Sequence, residues 1–183
     1  MNKLNILRAA LLTATLLTLP AAYAATMTEA DYKAGKTRIS ADYKTDKAAC
    51  ASQAANAKDI CIEEAKAKEK VALAELEHGY TGKAADRTKV LVAKAESAYA
   101  VAKERCDDQA GNAKDVCVME AKAIEVKALA DAKMGQEIGE AKKDAATEKR
   151  DADYKVAVEK CDAMAGDAKS SCVAAAKTKF GQN

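Results

Sequence analysis

The sequence predicts an all-α chain of long antiparallel helical hairpins in an elongated bundle, with three hairpin tips each closed by a local disulfide. Three observations predict it. A cysteine-bounded segment occurs three times at near-constant spacing, alanine, lysine and glutamate dominate the stretches between, and proline is absent after residue 20.

The three copies are Cys50 to Cys61, Cys106 to Cys117 and Cys161 to Cys172, with the second cysteine eleven residues after the first in each. The first cysteines lie 56 and 55 residues apart. A fixed period with a matching interior marks internal repetition. On one continuous helix, residues eleven apart are separated by about 16 Å, whereas a disulfide needs Cα atoms within about 7 Å. A turn inside each copy brings the two cysteines together. Local bridges are therefore expected, although six cysteines formally allow fifteen pairings. The interior carries turn residues. Gly111 and Gly166 suit the left-handed conformation that ends a helix, and Asn56, Asn112 and Asp167 follow as expected N-caps. Ala55 stands where the other copies have glycine, so that helix end must find another geometry or tolerate strain.

Residues 1–24 read as a secretory signal peptide. Lys3 and Arg8 form a basic start, Ala9 to Pro20 is an apolar run too short for an ordinary membrane span, and Ala22-Tyr23-Ala24 offers small residues for cleavage after Ala24. The expected location is the periplasm, where oxidation favours bridged cysteines over free thiols or a zinc site. No cysteine stands at the cleavage point to take a lipid, and no later segment is long and apolar enough to span a membrane.

The chain carries 30 basic and 28 acidic residues. Lys3 and Arg8 belong to the signal, so residues 25–183 balance at 28 against 28. The slight basicity belongs to the targeting segment, and a neutral chain lacks the field that phosphate binding needs. Nucleic acid is not an expected partner. Of the 159 residues after the signal, 39 are alanine, and only 20 are leucine, isoleucine, valine or phenylalanine. Alanine favours helix, and Lys/Glu pairs support exposed helix faces. The core must be thin, so the disulfides are expected to help hold the packing.

The region 25–183 reads as one repetitive helical domain of four helices, the last of them the shortest. Helix A is expected from Thr28 to about Ala54, with Tyr32, Ile39, Tyr43 and Cys50 on one face. Tyr32, Tyr43 and Tyr154, each in Ala-Asp-Tyr-Lys, read as packing residues with a wet hydroxyl. Helix B starts after Asn56 and meets a kink or break at Gly79 and Gly82, where Thr81 can cap a restart. Helix C starts after Asn112 and weakens at Gly135 and Gly139. From 136 to 152 it is highly charged, with Ile138 its one large apolar residue. Helix D runs from about Ala168 to Phe180. Laying B against C puts the second tip at one end and the first and third tips at the other, joined through a flexible waist at 77–89 and 136–152. A competing layout breaks B and C fully and folds them into a compact bundle.

Gly-Asn-Ala-Lys-Asp-Val-Cys-Val-Met-Glu-Ala-Lys-Ala at 111–123, with Glu-Lys-Val-Ala-Leu-Ala-Glu-Leu-Glu at 69–77, resembles a group of exported Ala/Lys-rich proteins of Gram-negative bacteria labelled TolA-like or cell envelope biogenesis proteins. TolA proper combines an uncleaved anchor, a long Ala/Lys/Glu stalk and a globular C-terminal domain. This chain is similar only to the stalk, so the resemblance implies an envelope location and no TolA role. In composition and eleven-residue periodicity the chain also resembles the stress-protective late-embryogenesis proteins, which lack cysteine staples.

No catalytic, cofactor-binding or metal-ligating residues are predicted. His78 is the only histidine and reads as solvated surface beside a glycine-rich break. Neither a nucleophile elbow nor a phosphate-binding loop nor a zinc or EF-hand motif occurs. The acid pairs Asp107-Asp108 and Glu63-Glu64 read as solvated faces in a chain that is 32% charged. The expectation is a non-enzymatic helical structural or interaction protein of the cell envelope, with a protein partner and a capacity for self-association. The alternative is a stress-protective, chaperone-like holdase.

Overall fold

The computed structural model describes residues 27–182. The expected signal peptide and its cleavage after Ala24 lie outside the described residues. Five α-helices follow in order: α1 (Glu29–Ala49), α2 (Ala55–Thr81), α3 (Ala84–Cys106), α4 (Gly111–Cys161) and α5 (Gly166–Phe180), with a short 3-10 turn over Cys50–Ser52. Among the described residues there is no strand. The expected all-α hairpin fold with three closed tips is present.

Thr28 starts α1. Its hydroxyl accepts from the Asp31 N–H at 3.1 Å while the Asp31 carboxylate accepts from the Thr28 N–H at 3.3 Å. This reciprocal box satisfies two donors that a helix N-terminus otherwise leaves free. The expected face of α1 is the packed one: Tyr32, Ile39 and Tyr43 are half-buried and Cys50 is fully buried.

Helix B takes the break that the sequence left open beside a kink, and it is two helices. Gly82 takes the left-handed conformation (φ +63°) and donates its N–H to the His78 carbonyl at 2.9 Å, which ends α2. The Thr81 hydroxyl accepts from the Lys83 N–H at 3.3 Å and donates to Asp86 at 2.5 Å, holding the turn into α3. Helix C, by contrast, runs unbroken for 51 residues as α4, through Gly135 and Gly139. Each glycine weakens a helix by about 1 kcal/mol relative to alanine, but neither takes the left-handed conformation that Gly82 adopts. A helix of this length spans about 75 Å.

This asymmetry overturns the pairing of B with C along their whole lengths. Because α2 and α3 double back at Gly82, the first and second tips lie together at one end, and the third lies at the far end of α4. Helices α1, α2, α3 and the first half of α4 form a serpentine layer. Each packs on its neighbour in sequence, and α1 does not reach α3, nor α2 reach α4. Helix α5 folds back on the end of α4, where Phe180 meets Tyr154 edge-on at 6.3 Å and Gln182 donates to Asp151 at 2.6 Å. The two waist segments do not face each other: residues 77–89 hold the α2–α3 turn, and residues 136–152 form a helical span exposed almost all round.

A layer one helix thick encloses little. The buried apolar residues of the described chain are mostly alanines and half-cystines: Ala65, Ala93, Ala95, Ala121, Ala132 and Ala176, with Cys50, Cys106 and Cys161 essentially inaccessible. Alanine lets helix axes approach at the short end of the usual 8–10 Å. Ion pairs line the seams, including Lys68–Asp46 between α1 and α2 and Lys70–Glu96, Lys94–Glu75 and Arg105–Glu64 between α2 and α3, at 2.6–2.7 Å. Exposed pairs of this kind contribute about 0–1 kcal/mol each. Their clearer role is to fix the register of smooth alanine surfaces.

Candidate functional site

The bridges are Cys50–Cys61, Cys106–Cys117 and Cys161–Cys172, with Cα separations of 5.6, 5.7 and 5.7 Å. No free cysteine remains among the described residues. Three disulfides mark an oxidising, extracellular or periplasmic compartment. Among the described residues no helix is long and apolar enough to cross a membrane.

Within the tips the turn chemistry differs from the expectation. Gly111 (φ +55°) and Gly166 (φ +56°) are left-handed as anticipated, and Ala55 follows them at φ +49°. These residues open the following helix instead of closing the preceding one. No side chain caps α2, α4 or α5, so Asn56, Asn112 and Asp167 are not N-caps. They fall inside the first turn, past the position from which a side chain reaches back to the free N–H groups. Asn56 instead crosses to the second tip and donates to the Glu104 carbonyl at 2.9 Å and to Asp108 at 2.8 Å. The second and third tips share another device, Lys114–Asp107 at 2.9 Å and Lys169–Asp162 at 3.2 Å. The first copy has Ala51 at the acid's place. Left-handed alanine is strained by about 1–2 kcal/mol relative to glycine. Ala55→Gly should therefore raise unfolding stability by about 0.5–1 kcal/mol, after allowing for the freer unfolded chain. Urea denaturation of the oxidised protein checks this, and a loss of stability would contradict it.

Two grooves lie along α3. The first, of about 590 Å³, runs between α3 and α4. Its floor is Ala95, Ala98 and Ala102 from α3 with Ala121, Ala128 and Ala132 from α4. Leu91, Tyr99 and Ile124 add apolar walls, and Lys94, Glu125 and Asp131 border it. The second, of about 560 Å³, runs between α2 and α3 over Ala67, Val71, Ala72, Ala98, Val101 and Ala102, bordered by Lys68, Glu75 and Arg105. Both grooves include Ala98 and Ala102, so they open on one face of the layer across a low ridge. Glu125 is buried and accepts from Lys122, whose ammonium lies 4.7 Å from the Tyr99 ring centre. The carboxylate raises the Lys122 pKa above the ordinary lysine value, so the ammonium keeps its charge. Such a face has the shape and polarity to receive an apolar helix with a charged margin.

At the Gly82 end a polar cluster closes the layer. The Tyr32 ring stacks on Tyr80 at 4.5 Å, and its hydroxyl donates to Glu77. That bond raises the phenol's pKa above its usual value. The tyrosine expected to keep a wet hydroxyl therefore has a protein acceptor. Asp86 is buried and accepts from Lys89 at 2.8 Å and from Thr81. Those bonds, the lysine's first, hold its carboxyl below the ordinary range. A depressed folded-state pKa means a contribution to stability that is complete above the ordinary value near 4 and is lost as pH falls through the depressed one. On acidification, amides around 81–86 should lose exchange protection, and Asp86→Asn should remove that pH dependence. A dependence unchanged in the variant would assign it to other carboxylates. His78 is not a surface loop residue: it is half-buried in the last turn of α2, with Nδ1 buried and without a hydrogen-bond partner among the described residues.

The six cysteines stay in three separate tips and form no shared centre. Among the described residues no group of three or more His, Cys, Asp or Glu is placed to hold a metal ion. The grooves escape a reading by motif because their residues are alanines, whose significance depends on which helices meet. Gly35 also carries no sequence signal beyond being a lone glycine in a helical stretch, yet it is the buried residue of α1. Comparison with protein-family models, curated proteins and solved structures finds no match to this chain.

Proposed function

We propose that this chain is a non-enzymatic structural or interaction protein of the periplasm, a stapled helical layer whose α2–α3–α4 face receives an amphipathic helix of a protein partner. The observation that carries the reading is the pair of adjoining alanine-floored grooves, about 590 and 560 Å³, opening on one face. Small floor residues let a partner backbone approach closely. The charged borders offer both signs, as an amphipathic helix with mixed flanks requires. Affinity capture from envelope extract with oxidised protein tests it. Ala98→Glu and Ala102→Glu should abolish capture of a defined partner while leaving the helical circular dichroism unchanged. A partner retained at full strength by both variants would overturn the reading.

The holdase reading draws on a different surface. Met119, Val126 and Met134 of α4 are 72%, 53% and 54% exposed. Exposed aliphatic and thioether side chains are what an unfolded client would meet. Suppression of model-substrate aggregation at stoichiometric protein favours the holdase; no suppression leaves the interaction reading alone.

A further inference from the structure

We propose that the chain pairs with a second copy of itself along α4, the two helices lying antiparallel about a two-fold axis level with Glu140. Between Glu120 and Lys160 a stripe of α4 recurs at three- and four-residue spacing and so occupies one helix face. Every member of the stripe is exposed. The residues α4 buries, Ala121, Glu125, Ala132 and Cys161, lie on another face. The stripe contains three exposed aliphatics, Ile124 (66%), Ile138 (48%) and Val156 (54%). Ile124 also walls the α3–α4 groove, and Ile138 and Val156 stand in water along a helix that has no other neighbour through its middle.

Charge specifies the occupant. In an antiparallel pair centred on residue 140, each residue faces the one equally far from Glu140 on the other side. Glu120 then faces Lys160, Lys127 faces Asp153 and Asp131 faces Lys149, each twice by symmetry. None of these six side chains makes an ion pair within the chain among the described residues, although Lys122–Glu125, Lys133–Glu137 and other lysines do. The same register sets Ile124 against Val156. It also sets Gly135 against Ala145, where a close approach is free: nothing lies within 4 Å of a Cβ built on Gly135. Ile138 faces the aliphatic stem of Lys142.

Other registers fail on charge. Sliding the partner one heptad in one direction puts Glu120 against Asp153, and in the other puts Lys127 against Lys160. A parallel in-register pair puts every charge against itself. Like charges directly opposed at a helix seam are destabilising. The strip is about 60 Å long and one helix, about 10 Å, wide. It covers about 600 Å² on each partner, which meets the lower bound of a specific interface. The dimer covers the exposed middle of α4 and sets the two serpentine layers at opposite ends.

Sedimentation equilibrium of the purified oxidised protein tests this with Asp131→Lys and with the swap Asp131→Lys/Lys149→Asp. Both positions are exposed, and circular dichroism checks that the helices persist. The single change creates two Lys–Lys contacts and should raise the dimer Kd about tenfold. The swap restores opposite charges and should return Kd to within about threefold of the parent. Carbodiimide cross-linking of an isotopically mixed sample should join Glu120 to Lys160 and Asp153 to Lys127 between copies. A monomer throughout, a dimer indifferent to the single change, a swap that fails to restore, or intermolecular products lacking these links would overturn the proposal.

Discussion

Replacing Cys106 and Cys117 together by serine is expected to lower unfolding stability by about 3 kcal/mol, the entropy released when a loop of this length is no longer closed in the unfolded chain. The loss should be felt unevenly. The second tip joins α3 to α4, and through Asn56 it is tied to the first tip by bonds to Glu104 and Asp108. Amide protection should therefore fall at both neighbouring tips, in the last turn of α3 and the first turns of α2 and α4. The α4–α5 end lies far along α4 and shares no contact with these tips. Its amides should keep their protection in hydrogen exchange under native conditions. Equal loss at both ends would mean that the molecule unfolds as one unit and that the serpentine layer has no independence from α5.

A second large effect is expected at Gly35, where valine should cost about 2 kcal/mol. A Cβ built on Gly35 comes within 2.7 Å of Leu76 Cδ1 and 3.0 Å of Cδ2. Alanine can be accommodated by a small rotation of the leucine, and it gains helix propensity. Valine brings two further carbons into the same space, and α1 must lift from α2. Helix α1 packs on no α-helix but α2, so the displaced edge has nothing else to hold it. Urea midpoints of the parent, Gly35→Ala and Gly35→Val proteins check this. The expected order places valine well below the other two. A valine variant as stable as the parent would mean that Leu76 does not fix the α1–α2 distance.

The three bridges were legible because eleven residues along a helix are too far apart for a disulfide, which leaves only a turn. Helix type was legible because alanine, lysine and glutamate favour it by local propensity. The start near Thr28 was legible because Glu29 and Asp31 suit the positive end of a helix, whereas the reciprocal Thr28–Asp31 box is visible only in the structure. The fate of the two glycine pairs was not. Gly79 and Gly82 resemble Gly135 and Gly139 in composition, yet one pair sits at a hairpin and the other inside an unbroken helix. The difference lies in Thr81 and Asp86, whose bonds across the turn exist only once the chain has turned. The N-cap reading of Asn56 failed for a related reason. A side chain that can cap can equally reach another tip, and sequence spacing does not reveal that the first and second tips are neighbours.

Sequence by itself determined an all-α chain, closed at three tips by bridges between cysteines eleven residues apart. Those features rest on local propensity and on chain geometry over a dozen residues. The tertiary structure alone decided that α2 and α3 double back while α4 runs on. That choice puts two tips together, opens two alanine grooves on one face and leaves a charged stripe of α4 bare. Alanine is the reason. A residue with a single methyl group favours helix strongly and discriminates poorly between helix partners, so helix order is set by long-range contacts such as Gly35 against Leu76, Tyr32 against Tyr80 and the ion pairs along each seam.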